Sequence, residues 1–138
     1  MKYSIIEGSD RMNTGEIARL LKTTYWADKR SMETIEKSIR HSSCYGIYMN
    51  DPDKLIGFAR VISDYATSYY LCDVIIDQEY RPRGLGTALV SHIVNSPDYA
   101  GLRGFLIIRD AQDLYRKFGF EVVDGRVMVK APDISRHP

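Results

Sequence analysis

The sequence predicts an α/β chain of the α+β kind, with a mixed central sheet flanked by helices. Three observations carry this. Two helical patterns come early, strands and helices alternate later, and a cluster of turn residues between two apolar runs marks an antiparallel hairpin. At 138 residues the chain suits one domain, expected over residues 1–130, with 131–138 as a loose tail.

Tyr3 to Glu7 reads as a first strand. Asn13 to Thr24 follows as a helix through Ile17, Leu20 and Leu21, and Ser31 caps a second helix that carries Ile35 and Ile39. Cys44 to Met49 and Leu55 to Ser63 are strands, joined by the turn residues Asn50-Asp51-Pro52-Asp53. Tyr69 to Asp77 is the next strand. After it, Leu85, Ala88, Leu89, His92 and Ile93 recur at helical spacing until Asn95-Ser96-Pro97-Asp98 stops the helix. A strand is expected at Gly104 to Ile108. Ala111 to Phe118 then reads as a short helix with Leu114 and Phe118 on one face, Gly119 as a left-handed cap and Phe120 packing back. A final strand is expected near Val127 to Lys130.

A formal net charge of +1 gives no strong field for nucleic acid or an anionic membrane, so neither partner is expected. Cys44 and Cys72 lie in apolar, strand-like surroundings without metal-ligand spacing, and His41, His92 and His137 are far apart, so no metal is expected. The first residues contain no long apolar core or cleavage site, and no run approaches membrane-spanning length. A soluble, cytoplasmic protein is the expectation.

The chemistry concentrates between Val74 and Ala88, where an apolar strand, a polar turn and a basic glycine-rich loop open a helix. The first N–H groups of a helix lack intrahelical partners and sit at the positive end of its dipole, which suits an anion. Gly84 and Gly86 carry no β-carbons to hold a phosphate away, and Arg81 and Arg83 add cations at the rim. Pro82 has no N–H, so the donors start at Arg83 and run through Leu85 and Thr87. A Walker loop would need a lysine before Thr87, and a dinucleotide fingerprint would need a glycine where Leu89 stands.

Arg81-x-x-Gly84-x-Gly86, followed by Ala111-x-x-Leu114-Tyr115-x-Lys117-x-Gly119-Phe120, closely resembles the GNAT superfamily of acetyl-CoA-dependent N-acetyltransferases over most of the chain. The resemblance implies an acyltransferase whose central parallel strands splay apart to admit the pantetheine arm of the cosubstrate acetyl-CoA. It assigns the pyrophosphate to Arg81, Arg83, Gly84, Leu85, Gly86 and Thr87. The backbone of Val74, Ile75 and Ile76 is assigned to the pantetheine amides, and Tyr115 to the general acid. Where many members carry an asparagine before the motif tyrosine, this chain has Ile107-Ile108-Arg109-Asp110, and Arg109 or Asp110 is the substitute, Arg109 being able to reach a phosphate. Many members of the superfamily are dimers, and a homodimer here is an analogy that the sequence itself does not encode.

Acetyl transfer to an amine needs a neutral nucleophile, a positioned thioester, oxyanion donors and a proton for the departing thiolate. A phenol such as Tyr115 suits the last task, because its ordinary pKa of about 10 is near that of a thiol. Asp73 is the candidate base, since a carboxylate in an apolar strand beside the cleft is costly unless it meets water, a cation or substrate. Pairing with an arginine such as Arg60 is the equal alternative. The family's acceptor pocket draws on the early helices and the loop before the cofactor strand. Those regions hold Tyr25, Trp26 and Arg30, then Arg60, Asp64, Tyr65, Tyr69 and Tyr70. Arg30 and Arg60 suit an acidic acceptor, whereas Asp64 and Asp73 suit a cationic one. The expected acceptor is the primary amine of a small molecule, with a peptide or protein amine, or a non-catalytic acyl-CoA sensor, as alternatives.

Overall fold

The computed structural model describes residues 2–50 and 53–133. In chain order the elements are β1 (Tyr3–Glu7), a 3₁₀ turn (Ser9–Arg11), α1 (Thr14–Leu21), α2 (Met32–Arg40), β2 (Ser43–Asn50) and β3 (Asp53–Ser63). Then come β4 (Ser68–Ile76), a 3₁₀ turn (Gln78–Tyr80), α3 (Leu85–Val94), β5 (Arg103–Phe105) and α4 (Gln112–Arg116). Both early helices start where side-chain oxygens replace missing backbone partners. Asn13 accepts from the Glu16 N–H at 3.0 Å, and Ser31 Oγ from the Thr34 N–H at 3.1 Å. Asn50 pairs with Asp53 across the β2–β3 hairpin, while Asp51 and Pro52 of the expected turn lie outside the described residues.

The five strands lie in one sheet in the order β1-β2-β3-β4-β5, with antiparallel neighbours up to β4 and a parallel β4–β5 pair. The sheet is mixed and flanked by helices, as the element order predicts. On one face, Ile17, Leu20 and Leu21 of α1 and Ile35 and Ile39 of α2 pack with Leu55, Phe58 and Ile75. On the other, Leu85, Leu89, Val90 and Ile93 of α3, with Tyr99 and Tyr115, cover Ile47, Ile56, Ala59, Val61 and Leu71. Each amphipathic helix buries its apolar stripe against one side of the sheet.

Two expectations for the C-terminal part need correction. β5 spans only Arg103–Phe105 and stops short of Ile108, and Val127 to Lys130 forms no strand. A strand persists only where a neighbour accepts its backbone hydrogen bonds. Past Phe105 the chain has left β4, and the 121–133 segment is exposed along its whole length, with Met128 99% exposed. Residues 131–133 of the expected tail carry no regular structure, and 134–138 lie outside the described residues.

Gly104 leaves room over β5 for the ring of Tyr69, its partner on β4, and for Phe120. A β-carbon built there would lie 2.6 Å from Cζ of the buried Tyr69 and 3.0 Å from Cε1 of Phe120. Gly104→Ala is therefore expected to cost about 1–3 kcal/mol of stability, as overpacked sites do. Urea unfolding checks this, and an unchanged midpoint would show that the two rings yield freely.

Candidate active site

β4 and β5 pair only from Ser68–Arg103 to Tyr70–Phe105, after which β4 runs on to Ile76 without that neighbour. The strands part, and a cavity of about 540 Å³ opens beside the C-terminal half of β4. Val74, Ile75 and Ile76 line one side of it. The loop and helix start Arg81 to Thr87 close its end, and Leu114 and Tyr115 of α4 line it from the β5 side. The structure thus brings together both sequence motifs and the end of the strand that precedes them.

Gly84 makes this helix start possible. It has φ +74, a left-handed backbone that L side chains rarely adopt, and nothing lies within 4 Å of where its β-carbon would stand. Ala88 donates back to the Gly84 carbonyl at 3.0 Å, so the N–H groups of Leu85, Gly86 and Thr87 precede the first intrahelical donor. Gly86 sits 3.8 Å from Ile76 and 3.9 Å from Leu114 by the same construction, which joins the loop to both walls.

The two loop arginines are more ordered than free rim cations. Arg81 Nε donates to the Ile76 carbonyl at 2.8 Å, and the Arg83 guanidinium lies 5.4 Å from the Tyr80 ring centre. Lys54 approaches the same ring at 5.6 Å. Tyr80 lines the cavity, although sequence reading did not single it out. The only local signal was an aromatic residue directly before Arg81.

Tyr115 is buried on α4 and meets Phe120 edge to face at 6.1 Å. Gly119 has φ +89, and the Phe120 N–H donates to the Tyr115 carbonyl at 3.3 Å, the closing bond of a Schellman cap. Burial pushes the Tyr115 phenol above its ordinary value, so it stays protonated at neutral pH. That is the state a proton donor requires.

Asp73 occupies a different setting from that of a free base. β4 bulges there: Phe58 pairs with Ile75 and Arg60 with Cys72, so Ala59 faces both Asp73 and Val74. Asp73 takes φ 54, a conformation that aspartate tolerates better than most residues. The extra residue shifts the strand's phase, so Leu71 faces the α3 layer and Ile75 the α1 layer. Arg30 Nη1 and Arg60 Nε donate to Asp73 Oδ2 at 2.7 and 2.6 Å, and Trp26 Nε1 donates to Oδ1 at 2.9 Å. Burial alone would raise this carboxyl, but the Arg30 hydrogen bond and the two guanidinium charges outweigh it and hold it below the ordinary value. Both oxygens are engaged, and of the two sequence readings of Asp73, arginine pairing is the one whose contacts are present.

The acceptor candidates separate into two groups. Tyr25 and Trp26, from the α1–α2 connection, line the cavity together with Thr23 and Thr24. Their rings meet edge to face at 5.1 Å, and the Arg109 guanidinium stacks 4.0 Å from the Tyr25 centre, bridging the cleft. Arg30, Arg60 and Asp64 do not line it. Asp64 caps the exposed β3–β4 turn, accepting from the Thr67 and Ala66 N–H groups at 2.8 and 3.0 Å, which holds its carboxyl far below the ordinary range.

A cleft opened by parting parallel strands beside a glycine-capped helix start is shaped for an extended, phosphate-bearing ligand. Residues 40–122 match the acetyltransferase (GNAT) domain, and the chain belongs to that family. It is 31% identical over 116 residues to a histone acetyltransferase, TAP1, of Glycine max, covering 83% of this chain and 47% of that protein. It is 40% identical over 70 residues to a chloroplastic GCN5-related N-acetyltransferase of Arabidopsis thaliana, 49% of this chain and 27% of that one. The chain spans about half the length of the Glycine max relatives it matches. A solved GNAT-family structure from Xanthomonas campestris pv. campestris superposes with a TM-score of 0.87 at 33% identity, covering 96% of this chain and 94% of that one.

Proposed function

We propose that this domain transfers the acetyl group of acetyl-CoA to the primary amine of a small molecule, by direct attack with Tyr115 as general acid. One observation carries the reading: a single cavity is lined by the Gly84 helix start, the free edge of Val74 to Ile76, and Tyr115. The open space at Gly84 fits a pyrophosphate, with Arg81 and Arg83 beside it. Leu85, Gly86 and Thr87 direct N–H groups at the same place, and the strand edge suits the pantetheine amides. Acetyl-CoA, when bound, supplies the activated acetyl thioester. Tyr115 donates its phenolic proton to the departing sulfur as the amine nitrogen takes the acetyl carbon, the nitrogen's surplus proton leaves to solvent, and the Tyr115 phenolate takes a proton back from solvent. With Asp73 held by two arginines, no carboxylate base is assigned.

The aromatic wall of Tyr25 and Trp26, bridged by Arg109, narrows the cleft and favours a small acceptor. A protein amine is the second reading, prompted by the name of the Glycine max histone acetyltransferase. The first test is thermal unfolding with acetyl-CoA, CoA, ATP or NADH, because a ligand that binds only the native state raises the midpoint. A rise with acetyl-CoA and CoA alone is expected, followed by thiol release with small amines ahead of peptides. No rise with either withdraws the transferase reading, and binding without thiol release from any acceptor leaves a sensor.

In this reading residues 1–130 form one domain, supported by the two apolar layers that share one sheet. A homodimer is also proposed. The outer edge of β5 pairs with no strand among the described residues, and Val122, Val123, Val127 and Val129 are exposed near the same end of the chain. Light scattering is expected to give twice 15.8 kDa, and the single-chain mass would remove the dimer. A cytoplasmic location remains part of the proposal. Among the described residues no helix is long and apolar enough to cross a membrane.

A further inference from the structure

Charge does not reach the acceptor wall by the routes the sequence suggested. Arg30 and Arg60 spend their contacts on Asp73, and none of the three lines the cavity. What Asp73 sends toward the cavity is a hydrogen bond. Its Oδ1 accepts from Trp26 Nε1 at 2.9 Å, and Trp26, 43% exposed, stands in the cavity wall beside Tyr25. The Asp73 side chain is itself only 2% exposed and fixed by two guanidinium groups and a bulged backbone. An indole whose N–H is held from behind keeps one ring orientation, with lower entropy cost when a ligand stacks on it.

We propose that Asp73 is a positioning residue: through its hydrogen bond it fixes Trp26 as the acceptor wall, so the acceptor is an amine on a flat apolar body, selected by stacking. This rests on the acetyltransferase reading and deepens it. Asp73 sits at the bulge directly before Val74, so one irregularity of β4 sets both the strand edge offered to acetyl-CoA and the ring offered to the acceptor.

The experiment compares 2-phenylethylamine with n-butylamine by thiol release in the wild-type protein and in Trp26→Ala, Trp26→Phe and Asp73→Asn. The wild type is expected to prefer 2-phenylethylamine in kcat/KM by about tenfold or more, the scale of one or two lost apolar contacts. Trp26→Ala should abolish the preference by raising the KM for 2-phenylethylamine, with the KM for acetyl-CoA within about twofold. Trp26→Phe keeps a ring and every arginine pair of Asp73 but lacks the N–H, so it should also raise that KM and carries the test if Asp73→Asn folds poorly. Trp26 is the chain's single tryptophan, so its emission reports the positioning directly. In Asp73→Asn the emission should shift to longer wavelength as the indole loosens into water. Equal use of both amines by the wild type, an unmoved KM in Trp26→Phe, or unshifted emission in a folded Asp73→Asn would each overturn the positioning role. These outcomes leave the transferase reading standing wherever acetyl-CoA still raises the thermal midpoint and thiol is released. Loss of that thermal shift is the failure of the reading itself.

Discussion

Tyr115→Phe is expected to lower kcat by roughly 10²-fold or more, the usual contribution of a positioned general acid, while leaving acetyl-CoA affinity within about twofold. The substitution is close to a pure test of the proton. Phenylalanine keeps the ring that meets Phe120 at 6.1 Å, and the Phe120 N–H bond to residue 115 uses the backbone carbonyl, which does not change. Stability should therefore hold, and thiol-release rates at saturating amine together with a thermal-shift titration of acetyl-CoA check both halves. The pH dependence carries a sign as well. Because burial raises the phenol's pKa, loss of the donor's proton should depress activity only at higher pH than an exposed tyrosine would. Unchanged turnover in the variant would remove Tyr115 from the chemistry.

The second large effect is on stability. Asp73→Asn keeps the volume and the tolerance for φ 54, yet leaves two guanidinium groups without their counter-charge, and its single amide oxygen, drawn to those two cationic donors, turns the NH2 toward Trp26. Breaking a buried pair by removing one partner costs about 3–5 kcal/mol, and partial solvation of Arg30, 26% exposed against 12% for Arg60, moves the expectation to the lower end. Proton linkage supplies an independent check. The Asp73 carboxyl is held below its ordinary value in the folded state, so its contribution is fully present above the unfolded value of about 3.9 and disappears as pH falls through the folded one. The wild type should lose stability in that acid window. Asp73→Asn should flatten the slope without abolishing it, because Asp77, bonded to Arg19 at 3.0 Å, is also lowered. Urea midpoints from pH 2.5 to 7 measure both, and a variant within about 1 kcal/mol of the wild type would show that the arginines repair themselves with water.

Much of this site is legible in the sequence because its chemistry is local. Gly84 and Gly86 are read from a helix start and a few preceding residues, and Ser31 and Asn13 announce their helices through contacts three residues away. The two motifs meet in the cavity because each opens a helix that follows a strand, and both helices pack in the same apolar layer. What the sequence hides depends on partners distant in the chain. The bulge at Asp73 exists only relative to Ala59, and without it the same carboxylate reads equally as base or ion pair. Arg109 over Tyr25 joins residues from opposite ends of the chain. The apolar run Val127-Met128-Val129 has the residue types of a strand, but propensity supplies no neighbour to bond, and the segment stays irregular.

The order of the sheet has a kinetic consequence. Its antiparallel core from β2 to β4 grows by short hairpins between neighbours in sequence, whereas β5 can join only after the chain has crossed over through α3. Closing that crossover is the costlier loop, and its reward is three residue pairs. The β5 side of the cleft should therefore be the last part of the sheet to assemble and the first to open, with its amides exchanging hydrogen ahead of those in β2 and β3. A molecule long enough to touch both Ile76 and Tyr115 would bridge that seam, so the cleft's occupant also acts as the fastener that the covalent chain lacks there.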